Sequence, residues 1–442
     1  MIFKPYPKYT SCAIQWFNEI PQSWKQVRVE QYLIKKDENI GDLWSSTQLL
    51  SLTQKGIIEK DINEGKGKTH SDYSTYQAID IGDLVFCLFD IDETPRTVGL
   101  STKKGMITSA YTAFKSKENI NTQYVYYFFE SLDDAKALKP YYKGLRKTVR
   151  PPEFLKIHVP FPPKVEQVAI SQFLDTETAR IDNLIAKQEK LIELLEEQRK
   201  SIISHAVTKG LNPNVPMKDS GVEWLGQVPE HWSYSSLKYV LKQKKGAIKS
   251  GPFGSHLKSS DMVYSDVKVI NQRNVIDKDF IGGDNFISFE KYEELKSFTI
   301  YPKDVLVTTR GTIGKVAQVA EDLPISILHP CLIRIQVDEN KVLFDYINYF
   351  FECEKLSLEQ LRYASNAATI DVIYCENLAS IYLPIPSISE QNEIIKYLKD
   401  EDIKINKLIS KQKTLIEKLK EYRYSIISHA VTGKIDVREF GA

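Results

Sequence analysis

The sequence predicts an α+β protein in which two α/β domains are separated by two long antiparallel coiled-coil helices, related by a pseudo-twofold internal repeat. Three observations predict this fold. A long helical segment occurs twice, a short tryptophan-containing marker opens each half, and the blocks between these repeats mix strand and helix patterns. Because both copies of a repeat are expected to fold alike, the duplication constrains the whole architecture.

The helical repeat is the most specific of these observations. Ser201–Thr208 recurs letter for letter as Ser425–Thr432, an offset of 425 − 201 = 224 positions, and the same offset carries Glu166-Gln167 onto Glu390-Gln391. The marker that opens each half repeats at an offset of 224 − 16 = 208: Trp16, Pro21 and Trp24 match Trp224, Pro229 and Trp232. The blocks between the repeats differ almost everywhere, which indicates one scaffold carrying two different binding domains.

Both copies of the segment have the heptad pattern of a coiled-coil helix. Gly and Pro are absent from 166 to 208, and each copy follows a proline-containing entry and ends at a glycine, Gly210 or Gly433. Each predicted helix has about 43 residues, or roughly 64 Å at 1.5 Å per residue. The predicted helix-seam positions are Leu174, Ile181, Gln188, Leu195 and Ile202 in the first helix, and Leu398, Ile405, Gln412, Leu419 and Ile426 in the second.

Gln188 and Gln412 lie near the midpoints of the two predicted helices. In an antiparallel pair the midpoints meet, so the two amides could bond across the seam and set its register, as a lone polar seam residue does in other coiled coils. The alternative is that both glutamines face solvent at a helix edge.

The coarse pattern divides the chain into six consecutive segments. The blocks are predicted to contain matching short helices at Thr122–Phe129 and Phe344–Phe351, and matching turns followed by a strand at 77–86 and 299–307. The predicted boundaries are 1–160 for the first domain, 161–210 for the first long helix, 211–228 for a connector, 229–384 for the second domain, 385–433 for the second long helix and 434–442 for a C-terminal tail.

Composition excludes several classes of protein. The net charge of +1 means that any contact with a polyanion must be local. The five cysteines form no CxxC pair, which indicates reduced thiols in a cytoplasmic protein and no zinc site. There is neither a secretion signal nor an apolar run of membrane-spanning length. No motif of a hydrolase, metalloprotease or dinucleotide-binding enzyme is present, so we expect no catalytic residue, no metal site and no cofactor in this chain.

Local charge favours DNA. The segment 234–260 contains six lysines and no acidic residue around the Gly-rich turn Gly251–Ser255, and 139–150 is a comparable basic run opposed only by Glu153. Such clusters suit contacts to phosphates, although a single cluster is more often a solvated face. The predicted contacts from these runs are Lys143, Arg146, Lys147, Arg150, Lys244, Lys245, Lys249 and Ser255.

Two stretches of the second block are candidates for reading bases. Asn271 and Arg273 lie in Val269–Asn274, whose side chains suit bidentate contacts to adenine and guanine, and Arg310 and Lys315 flank a glycine hairpin that could enter a groove. Ordinary turn chemistry explains both sequences almost as well.

These residues resemble the specificity subunit of type I restriction-modification systems, over essentially the whole chain. The resemblance is carried by Ala206–Leu211 running into Asp219–Gly226 and Pro229–Trp232, by the proline entries with Glu166-Gln167 and Glu390-Gln391, and by Gly251–Ser255 with Gly311–Lys315. The first block departs from the pattern: it has no turn like Gly251–Ser255, and Thr94–Gly99 stands where the second block has its glycine hairpin.

The resemblance implies a non-catalytic DNA reader of host defence. Two target-recognition domains would each read one half of a bipartite, asymmetric sequence in double-stranded DNA. The helices would dock two methyltransferase (M) subunits that use S-adenosylmethionine, and restriction/translocase (R) subunits would add ATP- and Mg-dependent cleavage. Two alternatives remain: a coiled-coil scaffold with two heads that do not bind DNA, and a fragment of a single-chain methyltransferase-nuclease, which the missing cofactor motif disfavours.

Overall fold

A computed structural model describes residues 4–61, 73–144, 147–222, 225–253, 255–262, 266–365 and 372–440. The chain divides into two compact units. Unit 1 comprises residues 1–189 and 413–442, and unit 2 comprises residues 190–412. Each unit therefore combines one α/β block with parts of both long helices. The boundaries expected from the sequence divide the chain into six consecutive segments, whereas the two compact units each combine parts of several segments. The two divisions are not comparable, and the expected boundaries stay predictions.

The strands of unit 1 are β1 (Tyr9–Ile14), β2 (Phe17–Pro21), β3 (Lys25–Arg28), β4 (Leu33–Lys35), β5 (Leu49–Thr53), β6 (Gly56–Lys60), β7 (Gln77–Ile79), β8 (Leu84–Phe86), β9 (Val98–Leu100), β10 (Gly105–Ile107), β11 (Thr112–Ser116) and β12 (His158–Phe161). Those of unit 2 are β13 (Met217–Asp219), β14 (Gln227–Pro229), β15 (Ser233–Ser236), β16 (Ile248–Ser250), β17 (Val267–Ile270), β18 (Phe286–Ile287), β19 (Thr299–Ile300), β20 (Val305–Thr308), β21 (Val316–Gln318), β22 (Ser326–Leu328), β23 (Leu332–Ile335) and β24 (Tyr382–Ile385).

The helices are α1 (Thr122–Asp134), α2 (Pro151–Phe154), α3 (Lys164–Lys209), α4 (Gln272–Asp277), α5 (Phe289–Leu295), α6 (Phe344–Glu352), α7 (Glu354–Ser365), α8 (Cys375–Ser380) and α9 (Ile388–Val431). The helices expected at Thr122–Phe129 and Phe344–Phe351 are present as α1 and α6. The long helices α3 and α9 contain 46 and 44 residues. No helix of the described residues is long and apolar enough to cross a membrane.

The two blocks share one fold, strand for strand. Unit 1 contains the sheets β6-β5-β10-β7 and β4-β11-β8-β9, and unit 2 contains β18-β17-β22-β19 and β16-β23-β20-β21. The pairs β12-β3 and β1-β2 correspond in the same way to β24-β15 and β13-β14. Both four-stranded sheets with a parallel pair place it equivalently, at β5-β10 and at β17-β22. The internal repeat therefore extends through blocks whose sequences differ.

The pattern expected at 77–86 and 299–307 needs a correction. Each range contains two short strands in different sheets, with a turn between them, where a turn followed by one strand was expected. An aspartate closes both turns: the Asp83 carboxylate accepts the Asp80 N–H at 2.7 Å, and the Asp304 carboxylate accepts the Tyr301 N–H at 2.9 Å. The short first strands, β7 and β19, were missed because they contain only three and two residues, too few for an alternating pattern to be recognised.

In unit 1 the long helices run antiparallel. Arg423 of α9 donates to Asp182 of α3 at 3.1 Å, whereas Phe173, nearer the start of α3, packs against Phe440 beyond the end of α9, with ring centroids 4.7 Å apart. The same core contains Ile181 together with Ile427. Contacts that move toward the start of one helix and past the end of the other require opposite directions.

The same holds in unit 2. Leu195 packs with Ile405 and Ile409, and Val207, further along α3, shares a core with Ile394 near the start of α9. Arg199 bonds Asn406, the position equivalent to Asp182 in unit 1. The expected antiparallel pair of long helices is therefore present within each unit.

The predicted helix-seam positions differ in burial. Leu174, Ile181, Leu195, Leu398, Ile405 and Ile426 are buried, and Gln188, Ile202, Gln412 and Leu419 are half-buried. Gln188 belongs to unit 1 and Gln412 to unit 2. The pairing of their amides stays a prediction.

The repeated Glu-Gln dipeptide joins the long helices to the blocks. The Gln167 side chain accepts the Asn121 N–H ahead of α1 at 3.0 Å and donates to the Pro162 carbonyl at 3.0 Å. The Gln391 side chain accepts the Leu343 N–H ahead of α6 at 2.8 Å and donates to Pro386 at 2.9 Å. These side chains satisfy buried or partly buried backbone groups at the entry of each long helix, which explains why the glutamine occurs twice.

The described residues of the predicted connector and tail form backbone hydrogen bonds. The connector contains β13 and most of β14, which pair with each other. In the tail, the Asp436 N–H donates to the Lys4 carbonyl at 2.8 Å, so both ends of the described chain lie in unit 1.

Candidate nucleic-acid interface

In unit 2, four separate segments meet at an open groove of about 390 Å³. Its lining includes 250–253, Thr309 and Arg310, residues of 330–333, and 372–376. The segments are joined through the backbone: the Ile373 N–H donates to the Thr309 carbonyl at 2.9 Å, and the Gly251 N–H donates to Leu332 at 2.9 Å. A rigid sheet edge thus supports polar and aromatic side chains at its rim.

Arg310 lies at the start of the turn that follows β20. Gly311 and Gly314 in that turn have φ values of +64° and +76°, a region that favours glycine. The Thr308 hydroxyl accepts the Lys315 N–H at 3.0 Å, which closes the turn. The expected glycine hairpin is therefore present, with Arg310 exposed and Lys315 half-buried.

Buried hydrophobic residues hold this rim in place. Val307 of β20 is fully buried, and Leu378 anchors α8 directly after the exposed Tyr374. In unit 1 the equivalent anchor is Phe154 of α2, whose ring lies 5.0 Å from that of Phe86 at the end of β8. The loops at these rims therefore begin and end in well-packed core, which fixes the positions of their backbones.

Asn271 caps α4. Its side-chain oxygen accepts the N–H groups of Arg273 at 2.8 Å and Asn274 at 3.2 Å, and the Asn274 amide donates to Asp279 and Gly282, both at 2.8 Å. The side-chain oxygen of Asn271 and the side-chain amide of Asn274 are therefore used in local turn and cap hydrogen bonds, as the turn-chemistry alternative predicts. A base contact by Asn271 or Arg273 stays a prediction.

Arg273 and Gln272 face outward from the start of α4. Arg273 is exposed and forms an ion pair with Asp277 at 2.5 Å. Gln272 lies beside the glycine hairpin, with its amide nitrogen 3.5 Å from the Thr312 carbonyl. The two stretches that the sequence proposed as readers are therefore neighbours, although about 40 residues separate them.

The basic segment of unit 2 contains both free and engaged lysines. Lys244, Lys245 and Ser255 are exposed. Lys249 donates to the Ser297 carbonyl at 2.7 Å and lies over the Phe298 ring, 4.4 Å from its centroid. Burial, followed by the nearby Arg334 charge, lowers the pKa of Lys249.

In unit 1 the predicted basic patch contacts more carboxylates than the local sequence indicates. Lys143 pairs with Glu153 at 2.7 Å, as its proximity suggested, but Lys147 pairs with Asp92 at 3.5 Å and Glu93 at 3.7 Å. The expectation that Glu153 alone opposes the patch is wrong, because the loop after β8 brings two further carboxylates to it. Arg150 is exposed, and Arg146, like Trp224 of the marker, lies outside the described residues.

Thr94–Gly99 does occupy the place of the glycine hairpin: Thr94–Thr97 lie between β8 and β9, and Val98 and Gly99 begin β9. Its arginine has a different environment, however. Arg96 is largely buried and pairs with Asp134 at 3.0 Å, Asp133 at 3.5 Å and Glu130 at 3.7 Å. Arg96 therefore stabilises the contact between this loop and α1, whereas Arg310 faces solvent.

Sequence reasoning missed two exposed aromatic side chains beside Arg310. Phe253 is 77% exposed and Tyr374 is 66% exposed, and both line the groove. Phe253 is part of the glycine turn noted in the sequence, but nothing local distinguishes Tyr374, which reaches the groove only because its segment pairs with the one after β20.

His329 lies behind this rim. Burial, followed by the charge of Arg310, lowers the pKa of His329. Its Nδ1 accepts the Cys331 N–H at 3.2 Å, which requires an unprotonated Nδ1. Among the described residues, no group of three or more His, Cys, Asp or Glu side chains could hold a metal ion.

Comparison with known proteins agrees with this arrangement. Residues 229–418 match the family described as "Type I restriction modification DNA specificity domain". The putative type I restriction enzyme MjaX specificity subunit of Methanocaldococcus jannaschii is 25% identical over 92% of this chain and 88% of its own length. The MjaVIII specificity subunit of the same organism is 27% identical over 76% of each chain.

The comparisons indicate the specificity subunit of a type I restriction-modification system. The family expected from the sequence motifs is thereby confirmed, and with it the expected fold class.

Two solved structures share the fold of this specificity subunit. A chain from a study of complex assembly and conformational transition of the type I R-M system covers 94% of it, with a TM-score of 0.66 and 14% identity. The HsdS subunit from Thermoanaerobacter tengcongensis covers 95% of it, with a TM-score of 0.50 and 13% identity. At such identities the likeness concerns the fold alone.

Proposed function

We propose that this chain is the DNA-reading subunit of a type I restriction-modification complex, in which each unit reads one half of a bipartite, asymmetric target. The observation that carries the proposal is the duplicated fold with divergent rims. Units 1 and 2 repeat the same sheets in the same order, while the loops at the equivalent edges differ in length and charge. Two readers on one scaffold would recognise two different half-sites.

The chemistry of the rims suits duplex DNA. Lys244 and Lys245 are exposed and can contact phosphates, which gives affinity without sequence preference. Arg310, Phe253 and Tyr374 present a guanidinium and two rings at one groove, and such groups contact base edges and thymine methyl groups. The family makes this chain a non-catalytic subunit, so the reactions on the DNA fall to its partners.

Two methyltransferase subunits are the proposed partners of the helix pair, with S-adenosylmethionine as their cofactor, and restriction/translocase subunits using ATP and Mg would complete the complex in the cytoplasm. The letter-for-letter repeat supports two equivalent docking sites. Ser201 and His205 are exposed on α3, and their counterparts Ser425 and His429 are half-buried on α9. Core packing alone explains identity at buried positions but not at these.

The test is co-expression of this chain with the methyltransferase encoded beside it, followed by single-molecule sequencing of the host DNA. We expect methylated adenines in a split motif with a fixed spacer, lost when this chain is omitted. A stable complex that leaves the DNA unmodified would contradict the proposal. The scaffold alternative with heads that do not bind DNA predicts that second result, and nothing in the comparisons supports it.

A second measurement tests the phosphate contacts. In the purified complex, Lys244→Ala with Lys245→Ala should weaken binding to all sequences alike and reduce the slope of log affinity against log salt by about two, since each phosphate contact contributes about one. Lys404→Ala, which removes an exposed lysine paired with Glu401 on α9, provides the matched control. An unchanged slope in the double variant would exclude these two lysines from the interface.

A further inference from the structure

Arg150 and Arg310 differ in their charge environment from the described arginines that form ion pairs. The guanidinium groups of Arg150 and Arg310 form neither an ion pair nor a hydrogen bond with a described residue, and both side chains are exposed. The other described arginines, apart from Arg362, form ion pairs with carboxylates: Arg28, Arg96, Arg180, Arg199, Arg273, Arg334, Arg423 and Arg438.

Neither arginine forms an ion pair with its nearest charged neighbour. The carboxylate closest in sequence to Arg150 belongs to Glu153; it is bonded to Lys143 at 2.7 Å, and this bond lowers the pKa of Glu153 more than the charge of Arg150 does. Arg310 acts electrostatically on His329, whose pKa is lowered, so this neighbour is held neutral. Both guanidinium groups are therefore available to a ligand without first breaking an internal pair.

Backbone hydrogen bonds place the two arginines at equivalent edges of the repeated fold. In unit 1 the Val149 N–H donates to the Leu88 carbonyl at 2.8 Å, and in unit 2 the Ile373 N–H donates to Thr309 at 2.9 Å. In each unit, the segment that follows β8 or β20 is thereby joined to the segment that precedes α2 or α8. The residues that follow the four bonded positions lie at the rim: Phe89 is half-buried, and Arg150, Arg310 and Tyr374 are exposed.

A second pair of bonds fixes the correspondence residue by residue. Arg150 precedes α2 and its carbonyl accepts the Phe154 N–H at 2.9 Å; Tyr374 precedes α8 and its carbonyl accepts the Leu378 N–H at 3.0 Å. Arg150 is thus the counterpart of Tyr374. Leu88 and Thr309 accept the equivalent bonds from Val149 and Ile373, so they are counterparts too. The next residues along the chain, Phe89 and Arg310, therefore correspond.

Each unit therefore carries one unpaired arginine and one aromatic residue at the same two rim positions, but in opposite order. Unit 1 has Phe89 after the strand and Arg150 before the helix. Unit 2 has Arg310 after the strand and Tyr374 before the helix. Phe89 is stacked on Tyr111, with ring centroids 6.2 Å apart and an interplanar angle of 15°. One exposed arginine alone would be ordinary, but an unpaired arginine and an aromatic residue at the same two backbone positions of both copies are a shared feature of the readers.

We infer that Arg150 and Arg310 are specificity-determining residues, each reading a guanine in the half-site of its own unit. This inference rests on the proposed function. An unpaired guanidinium fits the O6 and N7 acceptors of guanine in two parallel hydrogen bonds, which lysine cannot reproduce with the same geometry. The transposed order would direct the two arginines differently and so suit two different half-sites.

The experiment uses the full chain in complex with its methyltransferase. Methylation rates are measured on duplexes that carry the wild-type split motif or a single changed base pair in either half-site. With Arg310→Ala we expect discrimination at one G·C pair of one half-site to fall by roughly 5- to 150-fold, the range that corresponds to about 1–3 kcal/mol for a bidentate contact. The other half-site should keep its full discrimination. Arg150→Ala should give the reciprocal result.

Further variants separate base reading from other roles. Arg310→Lys and Arg150→Lys keep the charge, so they should retain methylation while losing discrimination at the same G·C pair. Arg28→Ala and Lys296→Ala remove exposed cations that are paired with Glu30 and Glu293, and they should leave the motif unchanged.

The outcomes distinguish this inference from the proposed function. If the wild-type complex methylates no split motif, the proposed function fails and the inference fails with it. If the wild-type complex has a split motif but Arg150→Ala and Arg310→Ala keep every base preference, or weaken methylation of all duplexes equally, the arginines contact only phosphate or nothing. Either of these results would overturn the inference and leave the proposed function intact.

Discussion

Replacing Glu166 by alanine should destabilise unit 1 strongly, whereas replacing its repeat counterpart Glu390 should have little effect. Glu166 is 6% exposed, and its carboxylate accepts the Trp24 indole N–H at 2.7 Å and the Tyr6 hydroxyl at 2.9 Å. Burial, followed by the charge of Glu166, raises the pKa of Tyr6. The Tyr6 hydroxyl therefore stays protonated and donates its hydrogen bond to Glu166.

Three donors would lose their partner, because the partly buried Ser23 hydroxyl also donates to Glu166, at 3.2 Å; the two buried bonds set the magnitude. A buried hydrogen bond to a charged group contributes about 1.5–3 kcal/mol, so the loss of two predicts about 3–6 kcal/mol for Glu166→Ala. In unit 2 the Glu390 carboxylate instead bonds the exposed His231 at 3.1 Å, and the Trp232 indole N–H has no partner in the described structure. An exposed pair of this kind is worth about 0–1 kcal/mol, which is the loss expected for Glu390→Ala.

Hydrogen exchange followed by mass spectrometry measures the two effects separately, because it reports the opening free energy of each unit. The amides of unit 1 should lose protection in Glu166→Ala, and those of unit 2 should change little in Glu390→Ala. Glu166→Gln keeps one acceptor in the same place and should fall between wild type and alanine. Equal losses of protection in the two alanine variants would refute the reasoning, because they would mean that the repeated glutamate has the same role in both units.

The remaining predictions concern the repeat, the rim and a tight turn. Gln167→Ala and Gln391→Ala should each destabilise their own unit by about 1–3 kcal/mol, since each leaves buried backbone groups without a partner; urea denaturation in which only one variant is destabilised would contradict this. His329→Asn should remove a pH dependence of unit 2 stability. The folded state holds the pKa of His329 below its unfolded value, so the stabilisation is full above about pH 6.5 and falls as the pH drops below it. Parallel pH profiles of unfolding free energy for wild type and variant would exclude this residue as the source. Gly433→Ala should lower the thermal midpoint, because Gly433 has a φ of +73° and an added Cβ would lie 2.4 Å from a proline ring; an unchanged midpoint would show that the turn can shift.

The sequence predicted those parts of the fold that depend on regular local spacing. Seven-residue periodicity reports which face of a helix is apolar, so the two long helices, observed as α3 and α9, could be read from side chains three, four and seven positions apart. The repeat predicted that the two helices pack together, since neither can bury its apolar stripe alone. Their antiparallel direction was inferred from the midpoint positions of Gln188 and Gln412 and is what the family resemblance implies. The family motifs were equally local, being runs of a few residues at the helix entries and exits.

The short strands and the rims of the readers could not be predicted in this way. β7 and β19 contain only three and two residues, too few for alternation to be recognised, and they become strands because of partners elsewhere in the chain. The identity of the two sheet systems was hidden for the same reason: sequences that differ almost everywhere can still satisfy one pairing order.

What the sequence by itself determined is the duplication, the long helices, the family and the set of basic residues from which the readers are drawn. Only the tertiary structure decided which of those cations are free. Lys147 is neutralised by Asp92 and Lys249 is bound to a carbonyl, whereas Arg150 and Arg310 remain unpaired. The physical reason is that ion pairs and sheet edges join residues far apart in the chain, so the availability of a charge depends on neighbours that no local pattern reveals.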